Sequence, residues 1–325
     1  MSKDKFTKPE FSLSLLHPRN WGVWLGFGFL AIVVNILPYR MLLSLGRTLG
    51  HLGMRYGKGR VHVATRNLEL AFPDKTPEEI RQIVEENFKN TGMALIETGI
   101  TWFWPTWRFK TLIVEKDLGA LHEKNAEGKG VLLCCVHALN LEITARAFAV
   151  LGVAGYGAFR PHNNPAYNFI QYWGRTHNGN KLIDRKDVKQ MIRVLRSGER
   201  LFYLPDHDYG RNKSVFVPFF AVEDACTTTG TSILAYTSKC SIIPGSGFRN
   251  EDGKYEIIAD KCIEADYPKK DEVAAAAYMN TFVEEVILRA PEQWMWLHKR
   301  YKTMADETAP KGIRYKEMIK IKQRG

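Results

Sequence analysis

The sequence is poor in cysteine, and its cysteines are not spaced as a disulfide framework or a zinc site would require. There are five, at Cys134, Cys135, Cys226, Cys240 and Cys262. The count is odd, and the adjacent pair lies in an apolar run, where cysteine behaves as a small hydrophobic residue. This pattern predicts a protein of a reducing compartment and excludes a small disulfide-stabilised fold.

The sequence also lacks low-complexity tracts and internal repeats. Its net charge of +11 is unevenly distributed along the chain. Residues 1–72 carry ten Lys and Arg against three acidic residues, and residues 299–325 carry nine against three, which leaves the middle at −2. Nucleic-acid-binding proteins usually carry a basic patch on the folded domain, so we expect no nucleic-acid partner. Basic ends around a near-neutral middle favour an anionic membrane surface or lipid, with solvated tails as the alternative.

Long hydrophobic runs are rare, and the notable one lies near the N-terminus. Residues Trp21 to Leu37 carry no charge and are bounded by Pro18 and Pro38. Their length is at the short limit for a membrane-spanning helix, but it exceeds a typical signal-peptide core, and no small-x-small cleavage site follows. We expect a membrane-anchor helix, with a buried core helix as the alternative. The larger basic cluster after the run predicts a cytoplasmic main domain.

The main part of the chain alternates short apolar runs with helical stretches. Strands are predicted at 131–136, 155–159, 181–183, 200–204, 242–248 and 255–258. One helix is predicted from 77 into the 90s, and a second follows the strand 131–136 and ends at about 151. Further helices are predicted at 165–176, 187–196, 228–237 and 271–289. This order predicts an α/β sandwich around a central, mostly parallel sheet. We expect an N-terminal segment 1–20, an anchor helix 21–38, a main domain 39–310 and a basic tail 311–325, which either lies on a membrane surface or frays.

The candidate chemistry begins at His137, directly after the predicted strand 131–136, because sites in α/β sheets form at the carboxyl ends of strands. On one continuous helix Glu142 would point about 140° away from it. The two can meet only if His137 stays in the turn while Glu142 lies in the first helical turn, with Asn140 as N-cap. A carboxylate behind a histidine makes a general base. A structural histidine at a strand end is the alternative.

No Gly-x-Ser-x-Gly nucleophile elbow is present. We therefore expect His137 to deprotonate a substrate hydroxyl, which then attacks an acyl carbonyl.

Further polar turns follow the next strands and helices. Arg160 and Arg175 are predicted to bind phosphate or carboxylate groups, because guanidinium forks match those anions, and structural ion pairs are the alternative. Asp206, His207 and Asp208 are predicted to lie at the same rim and to bind substrate. As an alternative they could ligate a metal with the His137 pair, but no typical ligand spacing supports this, and we expect no metal.

These features occur in the order of a known family. The matching blocks are His17-Pro18-Arg19, 66–73, Glu97-Thr98-Gly99, 102–105, His137-x4-Glu142, Arg160-Pro161, Trp173-Gly174-Arg175, 184–187, 205–210, 227–231 and 291–298. Over nearly the whole chain, the sequence resembles the late acyltransferases of lipid A biosynthesis, the lauroyl and myristoyl transferase family.

The resemblance implies an acyltransferase-type αβ sandwich with one N-terminal anchor in the bacterial inner membrane and a catalytic domain facing the cytoplasm. It implies transfer of a fatty acyl chain, such as laurate or myristate, from acyl-acyl carrier protein to a hydroxyl of Kdo2-lipid IVA. It implies His137 and Glu142 as the catalytic pair, with Arg175 and Asp206 as site residues. Membrane lipids are expected partners, and neither a metal nor an organic cofactor is implied.

Two other functions remain open at this level. A glycerophospholipid acyltransferase of the His-x4-Asp class would share the histidine, but Glu142 stands at the acidic position and no Phe-Pro-Glu-Gly-Thr-Arg-like phosphate loop is present. A non-catalytic, membrane-associated lipid-binding protein would have a decayed site. The intact His137, Glu142 and Arg175 speak against decay.

Overall fold

The computed structural model describes residues 8–310 and 312–316. Its strands are β1 (Ile113–Asp117), β2 (Val131–Cys134), β3 (Tyr156–Phe159), β4 (Lys181–Asp184), β5 (Arg200–Tyr203), β6 (Ser214–Phe219), β7 (Val222–Thr228), β8 (Ser241–Arg249) and β9 (Tyr255–Ala259). Its α-helices are α1 (Trp21–Ile36), α2 (Tyr39–Tyr56), α3 (Lys58–Ala71), α4 (Pro77–Phe103), α5 (Thr106–Lys110), α6 (Gly119–Ala126), α7 (Leu141–Val150), α8 (Pro165–Thr176), α9 (Val188–Arg196), α10 (Gly230–Ser238) and α11 (Glu272–Leu288). Short 3₁₀ turns occupy Leu13–Leu16, Pro18–Asn20 and Pro291–Gln293.

Seven strands form a central sheet in the order β1-β9-β8-β2-β5-β3-β4. All neighbouring strands in it are parallel except β8 and β9, which pair antiparallel. The predicted α/β class and mostly parallel sheet are therefore confirmed. Because β2 lies between β5 and β8, the turns that follow β2 and β5 meet at one edge of the sheet.

The sheet separates two hydrophobic cores. Leu132 and Ile242 face the core formed with α3, α9, α10 and α11, whereas Leu133 and Ile243 face the core formed with α7 and the second half of α4. Successive side chains of a strand point to opposite faces, so a strand covered on both faces must be apolar throughout. This explains why the run at 131–136 is continuously hydrophobic.

Three strands differ from the prediction: the two strands of a hairpin, and one edge strand of the central sheet. Residues 214–228 form the antiparallel hairpin β6–β7, so the helix expected at 228–237 begins only at Gly230. Phe220, in the hairpin turn, adopts a left-handed φ of 51°. Strand β1 was also missed, because it is a mostly exposed edge strand and lacks an apolar run.

Part of the predicted basic tail packs against the folded chain. Only residues 312–316 of the predicted tail 311–325 are described, and Tyr315 among them is buried. Its hydroxyl donates to Asn67 Oδ1 at 2.6 Å and accepts from the Tyr301 amide at 2.9 Å. This stretch is therefore held against α3. Residues 1–7 of the predicted N-terminal segment, and 311 and 317–325 of the tail, lie outside the described residues.

The second half of helix α4 packs in the core that contains Leu133 and Ile243. A capping box begins the helix where the sequence predicted its start: Glu79 Oε2 accepts from the Thr76 amide at 2.8 Å, and Thr76 Oγ1 accepts from the Glu79 amide at 3.3 Å. The C-terminal end is capped by buried Arg146 of α7, which donates to the carbonyls of Thr101 at 2.6 Å and Trp104 at 2.9 Å. These bonds satisfy helix carbonyls that would otherwise lack partners and hold α4 against α7.

Helices α2 and α4 cross at glycine positions. A Cβ added to Gly92 would lie 2.7 Å from the Gly50 Cα and would collide with the Gly46 carbonyl oxygen. A Cβ on Gly50 would likewise collide with the Phe88 carbonyl. The two backbones are therefore in direct contact, and any side chain between them must push the helices apart.

Gly92→Ala is expected to lower the free energy of unfolding by about 1–3 kcal/mol, because overpacking this crossing forces a backbone shift. Thermal and denaturant unfolding of the detergent-solubilised protein would measure it. Gly53→Ala on α2 is the matched control, since a Cβ there meets nothing within 4 Å and should be neutral or slightly stabilising. Equal stability of the two variants would contradict the close crossing.

Candidate active site

His137 lies in the turn directly after β2, as predicted, and a segment far along the chain holds that turn in place. The Met295 amide donates to the His137 carbonyl at 3.1 Å, and the Leu139 amide donates to the Gln293 carbonyl at 2.8 Å. Ala138 forms an isolated antiparallel bridge with Trp294. The backbone that carries the histidine is therefore clamped by residues 293–295.

The carboxylate partner of His137 is Asp206, in the turn after β5. Asp206 Oδ1 lies 2.7 Å from His137 Nδ1, and its Oδ2 accepts from the His137 amide and from Trp294 Nε1, each at 2.7 Å. Asp206 is fully buried. Burial raises its pKa, but the charge and hydrogen bonds of His137 outweigh burial, so the pKa of Asp206 lies well below its usual range. An ionised Asp206 accepts a hydrogen bond from the Nδ1–H group, which leaves the unprotonated Nε2 as the basic nitrogen.

Within the described residues, Glu142 makes no hydrogen bond to His137, so the contact expected from their spacing is not seen and the catalytic role of Glu142 stays a prediction. Glu142 lies in the first turn of α7, as expected. However, its carboxylate accepts from Trp102 Nε1 at 3.1 Å and from Arg175, whose Nε lies at 2.8 Å and whose Nη2 also contacts it. The start of α7 directs Glu142 toward α4 and α8, while the neighbouring strands β2 and β5 bring Asp206 to His137.

The ion pair of Glu142 and Arg175 lies beside a largely apolar cavity, which we call the Glu142 cavity. Its apolar lining includes Leu141, Leu182, Phe202 and Leu204. Burial lowers the pKa of Arg175, but the adjacent Glu142 charge more than compensates, so the guanidinium stays charged. Arg175 is thus paired within the protein, as the structural alternative anticipated, and it still borders the cavity.

His137 lines a second cavity, which we call the His137 cavity. It shares Ala158 and Leu204 with the Glu142 cavity, so the two are neighbours. Arg160 lines it as well, together with two cations that the sequence did not single out, Arg185 and Lys213. All three cations are exposed, and none forms an ion pair within residues 8–310 and 312–316. They leave positive charge available beside the basic nitrogen of His137.

His207 lies in a stack of three imidazole rings. It is buried between His137, at a ring-centroid distance of 3.5 Å and an interplanar angle of 7°, and His298, at 4.1 Å and 12°. Burial and the neighbouring His137 lower the pKa of His207 to about 2, against the opposing charge of Asp206. His207 is therefore neutral and supports the face of the His137 ring.

Asp208 also stabilises the turn after β5 through hydrogen bonds. Its carboxylate accepts from the Thr303 amide at 2.8 Å, the Thr303 hydroxyl at 2.9 Å and the Gly210 amide at 2.9 Å. Neither Asp208 nor His207 is among the residues that line the two cavities. Their contacts hold the turn that presents Asp206, and the expectation that these two side chains bind substrate stays a prediction.

The metal-binding alternative does not fit this geometry. Potential ligand atoms of His137, Asp206 and His207 lie within 4.8 Å of one another. However, nitrogen lone pairs lie in the ring plane, and two nearly parallel stacked rings cannot aim them at one ion. His137 Nδ1 is also engaged by Asp206. The arrangement is that of a hydrogen-bonded acid–base pair on a ring stack.

Known proteins share this sequence over most of its length. The family model for bacterial lipid A biosynthesis acyltransferases matches residues 8–303. The chain is 45% identical over 296 residues to the lipid A biosynthesis lauroyltransferase of Escherichia coli (strain K12), covering 91% of this chain and 96% of that protein. It is 41% identical over 305 residues to a lipid A biosynthesis acyltransferase of Haemophilus influenzae, covering 93% and 97%. It is 38% identical over 301 residues to the lipid A biosynthesis palmitoleoyltransferase of Escherichia coli (strain K12), covering 92% and 96%.

These matches agree with the arrangement of the site. A half-buried histidine paired with a buried aspartate lies at the junction of an apolar and a cation-lined cavity, which suits an acyltransferase. The chain belongs to the bacterial lipid A biosynthesis acyltransferase family and is an acyltransferase.

Proposed function

We propose that this acyltransferase transfers a fatty acyl chain from acyl-acyl carrier protein to a hydroxyl group of Kdo2-lipid IVA. One observation carries the proposal: the His137–Asp206 pair lies where the apolar Glu142 cavity adjoins the His137 cavity with its free cations. The apolar cavity suits an acyl chain. The cations suit an acceptor that carries phosphate and carboxylate groups.

In this mechanism His137 acts as general base. Nε2 takes the proton of the acceptor hydroxyl while the oxygen bonds to the thioester carbonyl carbon. The carbon–sulfur bond then breaks, and the imidazolium returns its proton to the departing thiolate. Buried Asp206 keeps Nδ1 protonated and stabilises the imidazolium while it exists.

Glu142 enters the mechanism as a positioning residue. Its ion pair with Arg175 and its hydrogen bond from Trp102 tie α7, α8 and α4 together around the apolar cavity. Loss of this carboxylate would leave Arg175 without its counter-charge at the cavity wall. We therefore propose that Glu142 and Arg175 shape the acyl site, while the proton chemistry belongs to His137 and Asp206.

We further propose that the enzyme acts at the cytoplasmic face of the inner membrane. Residues Pro18–Ile36 form a helical stretch long and apolar enough to cross a membrane by length and composition, and little of it is buried. All five cysteines are free, which suits a reducing compartment. Basic residues of α2 follow this helix, and cations next to an apolar helix suit a surface of anionic lipids.

A two-acceptor assay tests the proposal. The purified enzyme, given lauroyl- or myristoyl-acyl carrier protein, is expected to acylate Kdo2-lipid IVA and to leave lysophosphatidate largely unchanged. Arg160→Gln and Arg185→Gln should each raise the KM for Kdo2-lipid IVA about tenfold, because each removes a charge-assisted contact. Mass spectrometry of the lipid products measures both effects.

Lys254→Gln serves as the control for this assay, since Lys254 is an exposed cation that lines neither cavity. Its KM should match that of the wild type. Faster acylation of lysophosphatidate than of Kdo2-lipid IVA would contradict the proposed acceptor, and unchanged KM values in both arginine variants would contradict the proposed anion site.

A further inference from the structure

Helix α1 exposes an uninterrupted apolar stripe. Trp21, Leu25, Phe29, Ile32 and Ile36 are 56%, 71%, 69%, 58% and 72% exposed. Their spacing of three and four residues places them on one face of the helix. A charge-free stripe of this kind is unstable in water and marks a surface that contacts another apolar phase. Such a helix can either cross a bilayer or lie along it.

The opposite face of α1 is packed against the catalytic domain along its length. Phe27 stacks on Trp102 of α4, with ring centroids 5.3 Å apart. A Cβ on Gly99 of α4 would lie 2.7 Å from Leu30 Cγ and 2.8 Å from Val34 Cγ1, so no lipid fits between the two helices. Trp102 in turn donates to Glu142. Helix α1 is thus packed as part of the catalytic domain and is not a separate anchor joined to it by a linker.

The N-terminal end of α1 is bound to the same domain through polar contacts. Asn20, just before the helix, is buried, and its Oδ1 accepts from Asn164 Nδ2 at 3.3 Å. Asn164 caps α8, the helix that carries Arg175. Phe11 and Trp24 pack against Phe169 of α8, with centroids 5.8 Å and 6.3 Å away.

The C-terminal end of α1 is bound to this domain as well. Trp104 Nε1 donates to the Val34 carbonyl at 2.7 Å, and Arg108 Nη1 donates to the Asn35 carbonyl at 3.2 Å. A spanning helix places its two ends on opposite sides of a hydrocarbon layer about 30 Å thick. Crossing would carry the polar turn that contains Arg160 and Asn164 to the far side of the bilayer while Arg108 stayed on the near side.

We infer that α1 does not span the membrane but lies embedded in one leaflet, as the apolar centre of a membrane-binding face whose partner is a lipid bilayer. Arg19 precedes the helix, and Arg40, Arg47 and Arg55 lie on α2, the helix that follows it; all four are exposed, and none forms an ion pair within the described residues. Cations beside an apolar helix face match anionic lipid headgroups. A second copy of the chain on this face would bring like charges together. The inference is independent of which acyl donor and acceptor the site takes.

Cysteine labelling from each side of the membrane tests the topology. In a Cys262→Ser background, which removes the only native cysteine that is not buried, exposed Glu10→Cys reports the chain before α1 and exposed Lys110→Cys reports the catalytic domain. A membrane-impermeant maleimide should label both in inverted inner-membrane vesicles and neither in spheroplasts. Labelling of the two cysteines from opposite sides would overturn the inference.

Vesicle flotation tests the partner. The purified triple variant Leu25→Gln/Phe29→Gln/Ile32→Gln should bind phosphatidylglycerol-containing vesicles at least tenfold more weakly than the wild type and should keep its thermal unfolding midpoint. Arg47→Gln/Arg55→Gln should weaken binding to these vesicles but not to pure phosphatidylcholine vesicles. Unchanged flotation of the triple variant, or a wild-type dimer that dissociates when the stripe is replaced, would overturn the assignment to lipid.

Discussion

Asp206→Asn is expected to lower kcat for acyl transfer about a hundredfold to ten-thousandfold and to leave the KM of the acceptor nearly unchanged. The carboxylate accepts hydrogen bonds from the His137 amide, His137 Nδ1 and Trp294 Nε1. An amide has one acceptor oxygen and no charge, so at least one of these donors would face an N–H group. The His137 ring would then lose both its fixed tautomer and the stabilisation of its imidazolium.

Steady-state kinetics over a range of pH would measure this loss, with circular dichroism and thermal unfolding to establish that the variant folds. Glu142→Gln is the matched comparison, because it neutralises the other carboxylate of the site. It should alter the KM of the acyl donor more than kcat, since Glu142 contacts Arg175 and Trp102 rather than the histidine. If Asp206→Asn kept kcat within about twofold while Glu142→Gln abolished it, the role assigned to Asp206 would be wrong.

Glu97→Ala is expected to lower the free energy of unfolding by about 3–5 kcal/mol, the cost of leaving a buried charge without its partner. Glu97 and Arg249 are 2% and 8% exposed at their side chains and form an ion pair. Tyr255 donates its hydroxyl to Glu97 at 2.7 Å, and Arg249 also donates to Asn90. Burial raises the pKa of Glu97 despite the opposing charge of Arg249, so the pair carries a desolvation cost that only mutual contact offsets.

This network joins α4 to β8 and β9, so its loss should loosen the second core. Denaturant unfolding would measure the change, and the double variant Glu97→Leu/Arg249→Met should recover most of the lost stability because it removes both charges. Glu78→Ala provides the exposed control: it breaks a surface ion pair with Arg81 and should change stability little. A Glu97→Ala variant as stable as the wild type would show that the buried pair contributes nothing.

The sequence determined the fold class, the start of α4 and the position of the histidine. The continuous apolar run at 131–136 predicted a strand covered on both faces, and the structure has β2 there. Thr76 to Glu79 carries the capping box that begins α4. His137 follows the strand as expected, and the order of the polar blocks matched the family. Each of these features depends on residues close together in the chain, where local periodicity and side-chain chemistry suffice.

Only the tertiary structure showed that Asp206 lies beside His137 and that both ends of α1 pack against the catalytic domain. Glu142 is five positions away in the sequence, yet Asp206 makes the hydrogen bond, because parallel pairing of β2 and β5 places the turns after them side by side. Likewise, the apolar composition of α1 is the same for a spanning helix and an embedded one. The contacts of its two ends with α8 and Arg108 distinguish them. Such contacts join residues far apart in sequence, and no local pattern specifies them.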